Sequence, residues 1–205
     1  SWLSNRQQRV CLQGMRSSWR KVLSGVPQGS VLGPVLFLVF INDIDSGVLN
    51  SILKFADDTK LYGEVNSGSD RATLQQDLDR LSHWSRQWRM TFNIDKCKVM
   101  HIGRGNQRYG YTMDGCTLEE VQKERDLGVE FCEDMKSSCQ CSRAYSKANQ
   151  ILGMIKRTIV NKTTQILVNL YKSLVRPHLE YCSPVWSPHY AKDKILLERV
   201  HHRFT

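Results

Sequence analysis

Leu74, Leu78, Leu81, Trp84 and Trp88 recur at spacings of 4, 3, 3 and 4, with Asp77, Asp79, Arg80 and Arg86 between them. That period predicts an amphipathic helix whose Leu/Trp stripe faces a core, with Ser67 or Ser69 placed to cap its start. Upstream, Arg9–Leu12 and Trp19–Leu23 flank Gly14 and read as a β-hairpin. A loop over 24–30, punctuated by Gly and Pro, leads into a predicted helix over 31–46 that ends near Gly47. The apolar run Val31–Ile41 has 11 residues, against about 20 for a bilayer span, so a buried helix is expected and no membrane partner. Ile52 to Tyr62 reads as strand, turn, strand. Further strands are expected at Cys97–Ile102, closed by Gly103, and at Glu124–Phe131, where Gly128 lets another backbone come close.

Beyond Met135 only helical periods remain. Ala144, Ala148, Ile151, Leu152 and Ile155 mark one apolar face, and Ile166, Leu167, Leu170, Tyr171, Leu174 and Val175 a second that is expected to stop before Pro177. A short apolar stretch at Leu179–Trp186 and a basic helix at Asp193–Arg203 complete the pattern. The predicted fold class is α+β, with a mixed body over 1–135 and a basic helical region over 136–205.

Charge sharpens this boundary. The chain of 205 residues has a net charge of +9, and 40% hydrophobic content is enough for a core. Residues 1–135 carry 17 Lys/Arg and 17 Asp/Glu, whereas residues 136–205 carry 12 Lys/Arg and only Glu180, Asp193 and Glu198. All the excess lies in the last third, as in an element that faces a polyanion. Seven cysteines form an odd set without a repeated CxxC spacing. Free thiols in a reducing nuclear or cytoplasmic compartment are expected, and Cys139-Gln-Cys141 fits no zinc finger or ribbon.

Two strings carry the chemistry. Asp57 and Asp58 are adjacent carboxylates, and only a tight bend lets neighbouring side chains of a strand share one site. Two ionised aspartates repel each other, so a fold that presents both is expected to neutralise them with a divalent cation. The second string, Gly25-Val-Pro-Gln-Gly-Ser-Val-Leu-Gly-Pro34, is a loop whose backbone can approach a ligand closely. Together and in this order they resemble motifs B and C of the reverse transcriptase palm, and the wording resembles the jockey-like branch of non-LTR (LINE-type) retrotransposons. Trp88–Lys98 is similar to motif D, Leu127-Gly128-Val129 falls where the primer-grip hairpin is expected, and Leu174–Tyr181 resembles the thumb of jockey-type elements.

The resemblance implies a partial right-hand polymerase palm, an antiparallel sheet with packed helices, followed by an all-helical thumb-like region. It also implies an RNA-directed DNA polymerase acting on an RNA template, a DNA primer and deoxynucleoside triphosphates, with two Mg2+ ions in the intact enzyme. Asp57 is then the principal catalytic and metal-binding residue, with Asp58 secondary and Phe55 packed in support of the turn. Gly25, Pro27, Gln28 and Gly29 shape the pocket beside nucleotide and template, Lys96 approaches the phosphates, and Leu127 and Gly128 form the primer grip. Arg143, Lys147, Lys156, Arg157, Arg199 and Arg203 are expected to track the nucleic-acid backbone. Family palms carry a third carboxylate on a strand before motif B, whereas here Asp43 is the first acidic residue. The chain is therefore expected to be a fragment of a retroelement polyprotein, inactive and prone to aggregate on its own. A nucleic-acid-binding relic and an inert pseudogene product are the alternatives.

Overall fold

A computed structural model describes residues 3–204, which mix helix and strand and divide into two compact units, Ser1–Phe92 and Asn93–Thr205. The first unit opens with a laddered hairpin. Strands β1 (Gln7–Gln8) and β4 (Arg20–Lys21) pair outside β2 (Cys11–Leu12) and β3 (Met15–Arg16), and Gln13-Gly14 make the turn with positive φ at both residues. Helix α1 (Leu32–Phe40) follows the Gly/Pro loop. It is shorter than the 31–46 expectation, because the chain leaves it through a series of turns to Gly47. Nor is it buried: Val35, Leu38 and Val39 are 54%, 56% and 70% exposed, and only Gly33 is enclosed. The unit places too few apolar groups around an all-apolar helix to cover its sides.

Strands β5 (Ser51–Phe55) and β6 (Asp58–Tyr62) form an antiparallel hairpin in full register, from Ser51 opposite Tyr62 to Phe55 opposite Asp58. Helix α2 (Gly68–Trp88) begins at a capping box. Ser67 accepts from the Asp70 N–H and the Asp70 carboxylate accepts from the Ser67 N–H, satisfying donors that a helix start leaves orphaned. Leu81 and Trp84 of the predicted stripe are buried, while Trp88 stays 42% exposed beside the ring of Phe40.

In the second unit, β7 (Lys98–Val99) replaces the longer strand expected over 97–102. It pairs in parallel with β10 (Glu119–Glu120), and β8 (Thr112–Met113) pairs with β9 (Cys116–Thr117). The single strand expected at 124–131 is instead a hairpin of β11 (Lys123–Asp126) and β12 (Val129–Cys132). Leu127 and Gly128, with φ of +43° and +88°, turn the chain back on itself. Positive φ at both turn residues matches the right-handed twist of the flanking strands. Among the described residues, all strands lie in six two-stranded pairings.

Helices account for the remainder: α3 (Ser138–Thr158), α4 (Thr164–Leu170), a π turn (Tyr171–Val175), α5 (Arg176–Glu180), α6 (Ser183–Trp186) and α7 (Ala191–Phe204). Pro177 does not stop the second helical run as expected. It sits in the first turn of α5, just after the π turn, where a helix tolerates a residue without an N–H. Ala148, Leu152, Ile155, Tyr171, Val175, Leu179 and Val200 make the main core. A second cluster of Val129, Cys141, Ala144 and Trp186 fastens the β11–β12 hairpin to α3. Asp193 is buried and accepts a 2.6 Å hydrogen bond from Ser138 Oγ, joining the starts of α7 and α3. The expectation of free thiols throughout fails at one pair. Cys132 ends β12 and Cys139 lies in the first turn of α3, their Cα atoms are 6.6 Å apart, and they form a disulfide.

Candidate functional site

The β5–β6 hairpin closes on a two-residue turn, Ala56-Asp57. Both aspartates are exposed at the tip, Asp57 in the turn and Asp58 as the first residue of β6. Ala56 has φ +53°, a left-handed conformation that costs a residue bearing a Cβ about 1–2 kcal/mol. Strain of this kind is held where surrounding structure imposes it, commonly at functional positions. Phe55 does not pack beneath the turn as expected. It is 62% exposed, on a hairpin that gains no third strand among the described residues. Near the tip, the Lys54 ammonium lies 3.0 Å from Asp45 Oδ2 and donates to the Asn42 carbonyl at 3.3 Å. The hydrogen bond from Lys54 holds the Asp45 carboxyl below its usual range.

The base of the hairpin rests on a residue that hydrophobic periodicity assigns to the polar side of α2. Asp77 is 0% exposed. It accepts from the N–H groups of Leu49 at 3.0 Å and Asn50 at 2.8 Å, from the Asn50 carboxamide at 2.9 Å, and from the Arg80 guanidinium at 2.8 Å. Burial works against its charge, but these donors outweigh burial and keep the carboxyl below its ordinary value.

In the loop over 24–30, Gly25 and Gly29 both have φ +78°, with open space where a Cβ would stand, and Arg6 donates to the Gly25 carbonyl. Ser30 Oγ donates to the Pro27 carbonyl at 2.7 Å and accepts from the Gly33 N–H at 3.1 Å, closing the loop onto the start of α1. Gln28 is exposed at the loop surface and Pro27 is half-buried. Lys96 ends a 3-10 turn, Ile94–Lys96, and its side chain is exposed in the second unit.

The turn at Leu127-Gly128 borders a groove of about 800 Å³ whose basic lining is Arg125, Arg143, Lys147 and His178. Arg125 and His178 escaped the sequence reading, since their segments were read for a strand and for an apolar face. Arg143 lies 3.1 Å from Glu130, and Tyr181 closes the groove wall by donating to the Leu127 carbonyl at 2.9 Å. At about 100° per residue, Arg143, Lys147 and Arg157 fall within roughly 80° on one face of α3, with Lys156 on the opposite side. The Lys156 ammonium donates to the Arg203 carbonyl at 2.7 Å, and Arg203 donates to Asn149 at 3.1 Å. Arg199 is exposed one turn before Arg203 on α7. Arg143 and Lys147 therefore line the groove, Arg157 continues their face of α3, and Lys156 and Arg203 join where α3 meets α7.

Residues 1–156 match the family model described as reverse transcriptase (RNA-dependent DNA polymerase). The chain belongs to the reverse transcriptase family. Among curated relatives of this reverse transcriptase chain, the RNA-directed DNA polymerase from mobile element jockey of Drosophila melanogaster is 28% identical across 100% of the chain and 24% of that protein. The jockey polymerase of Drosophila funebris is 29% identical across 91% of the chain and 22% of its own length. The probable RNA-directed DNA polymerase from transposon X-element of Drosophila melanogaster is 32% identical, over 47% of the chain and 11% of that protein. These likenesses identify a jockey-like, non-LTR type of reverse transcriptase sequence, and the chain spans about a quarter of the length of the jockey proteins it matches. No solved structure matches it. No helix among the described residues is long and apolar enough to cross a membrane.

Proposed function

We propose that this chain is the later part of the palm and the thumb-like region of an RNA-directed DNA polymerase, divided near residue 136. The observation that carries the reading is the strained, exposed turn with Asp57 and Asp58 at the tip of the β5–β6 hairpin, within a chain of the reverse transcriptase family. Neither carboxylate has a hydrogen bond or ion pair of its side chain among the described residues, and paired carboxylate oxygens suit a hard cation such as Mg2+. Asp57, helped by Asp58, would hold it, and a cation bound there would supply charge for activating a primer 3′-hydroxyl and for steadying the departing pyrophosphate. Among the described residues no three acidic, His or Cys side chains gather into a metal site.

The other residues bind and orient. Gly25, Pro27, Gln28 and Gly29 offer a surface with little side-chain bulk to a nucleotide and the template base opposite it, and Lys96 offers a cation to the phosphates. Leu127 and Gly128 grip the primer strand. Arg143 and Lys147 line its backbone along the groove and Arg157 continues that face of α3, with Lys156, Arg199 and Arg203 as a second contact farther along an RNA template–DNA primer duplex. Such contacts position the duplex without reading its sequence. In a full-length polymerase carrying this segment, Asp57→Ala abolishes primer extension and Asp58→Ala damages it less, while the duplex still binds. Extension that survives Asp57→Ala at saturating Mg2+ overturns the assignment.

A further inference from the structure

We propose that Asp77 is a positioning residue for the acidic turn: it clasps the base of the β5–β6 hairpin and so sets where Asp57 and Asp58 stand. The inference rests on the reading of that turn as the metal-binding element. Asp77 spends both carboxylate oxygens on the two residues that enter β5, through the N–H groups of Leu49 and Asn50. The Asn50 carboxamide completes the clasp. Asn50 also lies over Gly63, the residue that leaves β6, and a Cβ at Gly63 would collide with that carboxamide. One side chain of α2 thereby holds both strands at the open end.

The geometry makes this end a lever. Five strand residues separate Asn50 from the turn, roughly 17 Å at about 3.4 Å per residue, so a tilt of about 5° at the base moves the tip by about 1.5 Å. No third strand steadies the ribbon among the described residues. Nearer the tip, Lys54 adds a hold on Asp45 and the Asn42 carbonyl. A buried carboxylate is an expensive way to hold a loop, since it must be fully satisfied to stay charged. Catalytic geometry gives it a use, because misplacement of about 1 Å costs on the order of 10²-fold in rate.

Two measurements test this. In the 205-residue chain, Asp77→Asn sets an amide group against the Leu49 and Asn50 N–H donors, and the backbone amide resonances of Ala56, Asp57 and Asp58 are expected to shift. Gly63→Ala displaces Asn50 while leaving Asp77 intact, and should shift the same resonances. Its effect should vanish in an Asn50→Ala background, where the added methyl has room. In a full-length polymerase carrying the segment, Asp77→Asn should lower kcat about 10- to 100-fold and leave the nucleotide KM within about 3-fold. Leu81→Ala, in the same helix and buried, serves as the stability control. Turn resonances unmoved by Asp77→Asn and Gly63→Ala alike, or a kcat loss no greater than that of Leu81→Ala at the same fall in Tm, would overturn the proposal. Should Asp77→Asn fail to fold, the Gly63/Asn50 pair decides it alone. The resonances report the clasp even if Asp57→Ala shows the turn to be non-catalytic, so the two claims fail separately.

Discussion

Gly128→Ala is a demanding perturbation of the candidate primer grip, because two independent penalties meet at one atom. Gly128 has φ +88°, where an added Cβ costs about 1–2 kcal/mol in backbone strain. The same Cβ would stand 2.9 Å from Tyr181 Cε1 and 3.4 Å from Cζ, so the ring must give way. Moving it endangers the 2.9 Å hydrogen bond from the Tyr181 hydroxyl to the Leu127 carbonyl, worth about 0.5–1.5 kcal/mol net. The backbone that carries the ring is held, since the Trp186 indole N–H donates to the Tyr181 carbonyl at 2.7 Å. The expected cost is about 2–3 kcal/mol, which for a chain of this size lowers Tm by roughly 5–10 °C. Thermal unfolding of Gly128→Ala in wild-type and Tyr181→Ala backgrounds separates the terms. Without the ring only backbone strain remains, and the cost should fall to about 1–2 kcal/mol. Equal costs in both backgrounds would refute the claim that Tyr181 limits what residue 128 can be.

Affinity for a template–primer duplex should fall steeply with salt, and Arg143→Ala/Lys147→Ala should reduce the slope of log K against log salt by about 2 for all sequences alike. An unchanged slope would remove the groove face of α3 from the phosphate contacts. The chain should also self-associate through α1, whose apolar side chains lie open. Leu38→Glu/Val39→Glu should reduce association in sedimentation without lowering Tm, and oligomers that persist in that variant would point to another surface.

Much of the local structure was legible because it depends on short-range chemistry. A serine cap at 67 or 69, the period of α2 and the turn at Asp57 each declare themselves within a few residues. The hairpin at 123–132 was harder. Leu127 adopts a positive φ that side-chain type does not announce, and the resemblance in that segment spoke where periodicity read one strand. Burial failed at α1, since an apolar run reports what a helix is made of and not what surrounds it. Asp77 was misassigned for the opposite reason. A carboxylate inside a Leu/Trp stripe reads as solvent-facing until Leu49 and Asn50, distant in sequence, bring their N–H groups to it. The Cys132–Cys139 bridge likewise needs the β12-to-α3 connection, which no spacing rule supplies. Of the candidate site, the motifs located Asp57 and Asp58, while Arg125 and His178 emerged only when the groove was formed.

The central claim is that Asp57 acts on the reaction and not on binding or folding. Single-turnover nucleotide incorporation and duplex affinity, measured on one preparation of full-length polymerase carrying Asp57→Ala, test it directly. The account predicts incorporation slowed by at least about 10²–10³-fold, the scale of losing a charge-stabilising group from a transition state, with duplex Kd essentially unchanged. Incorporation within about tenfold of wild type at saturating Mg2+, or a loss explained entirely by weaker duplex binding, would contradict it.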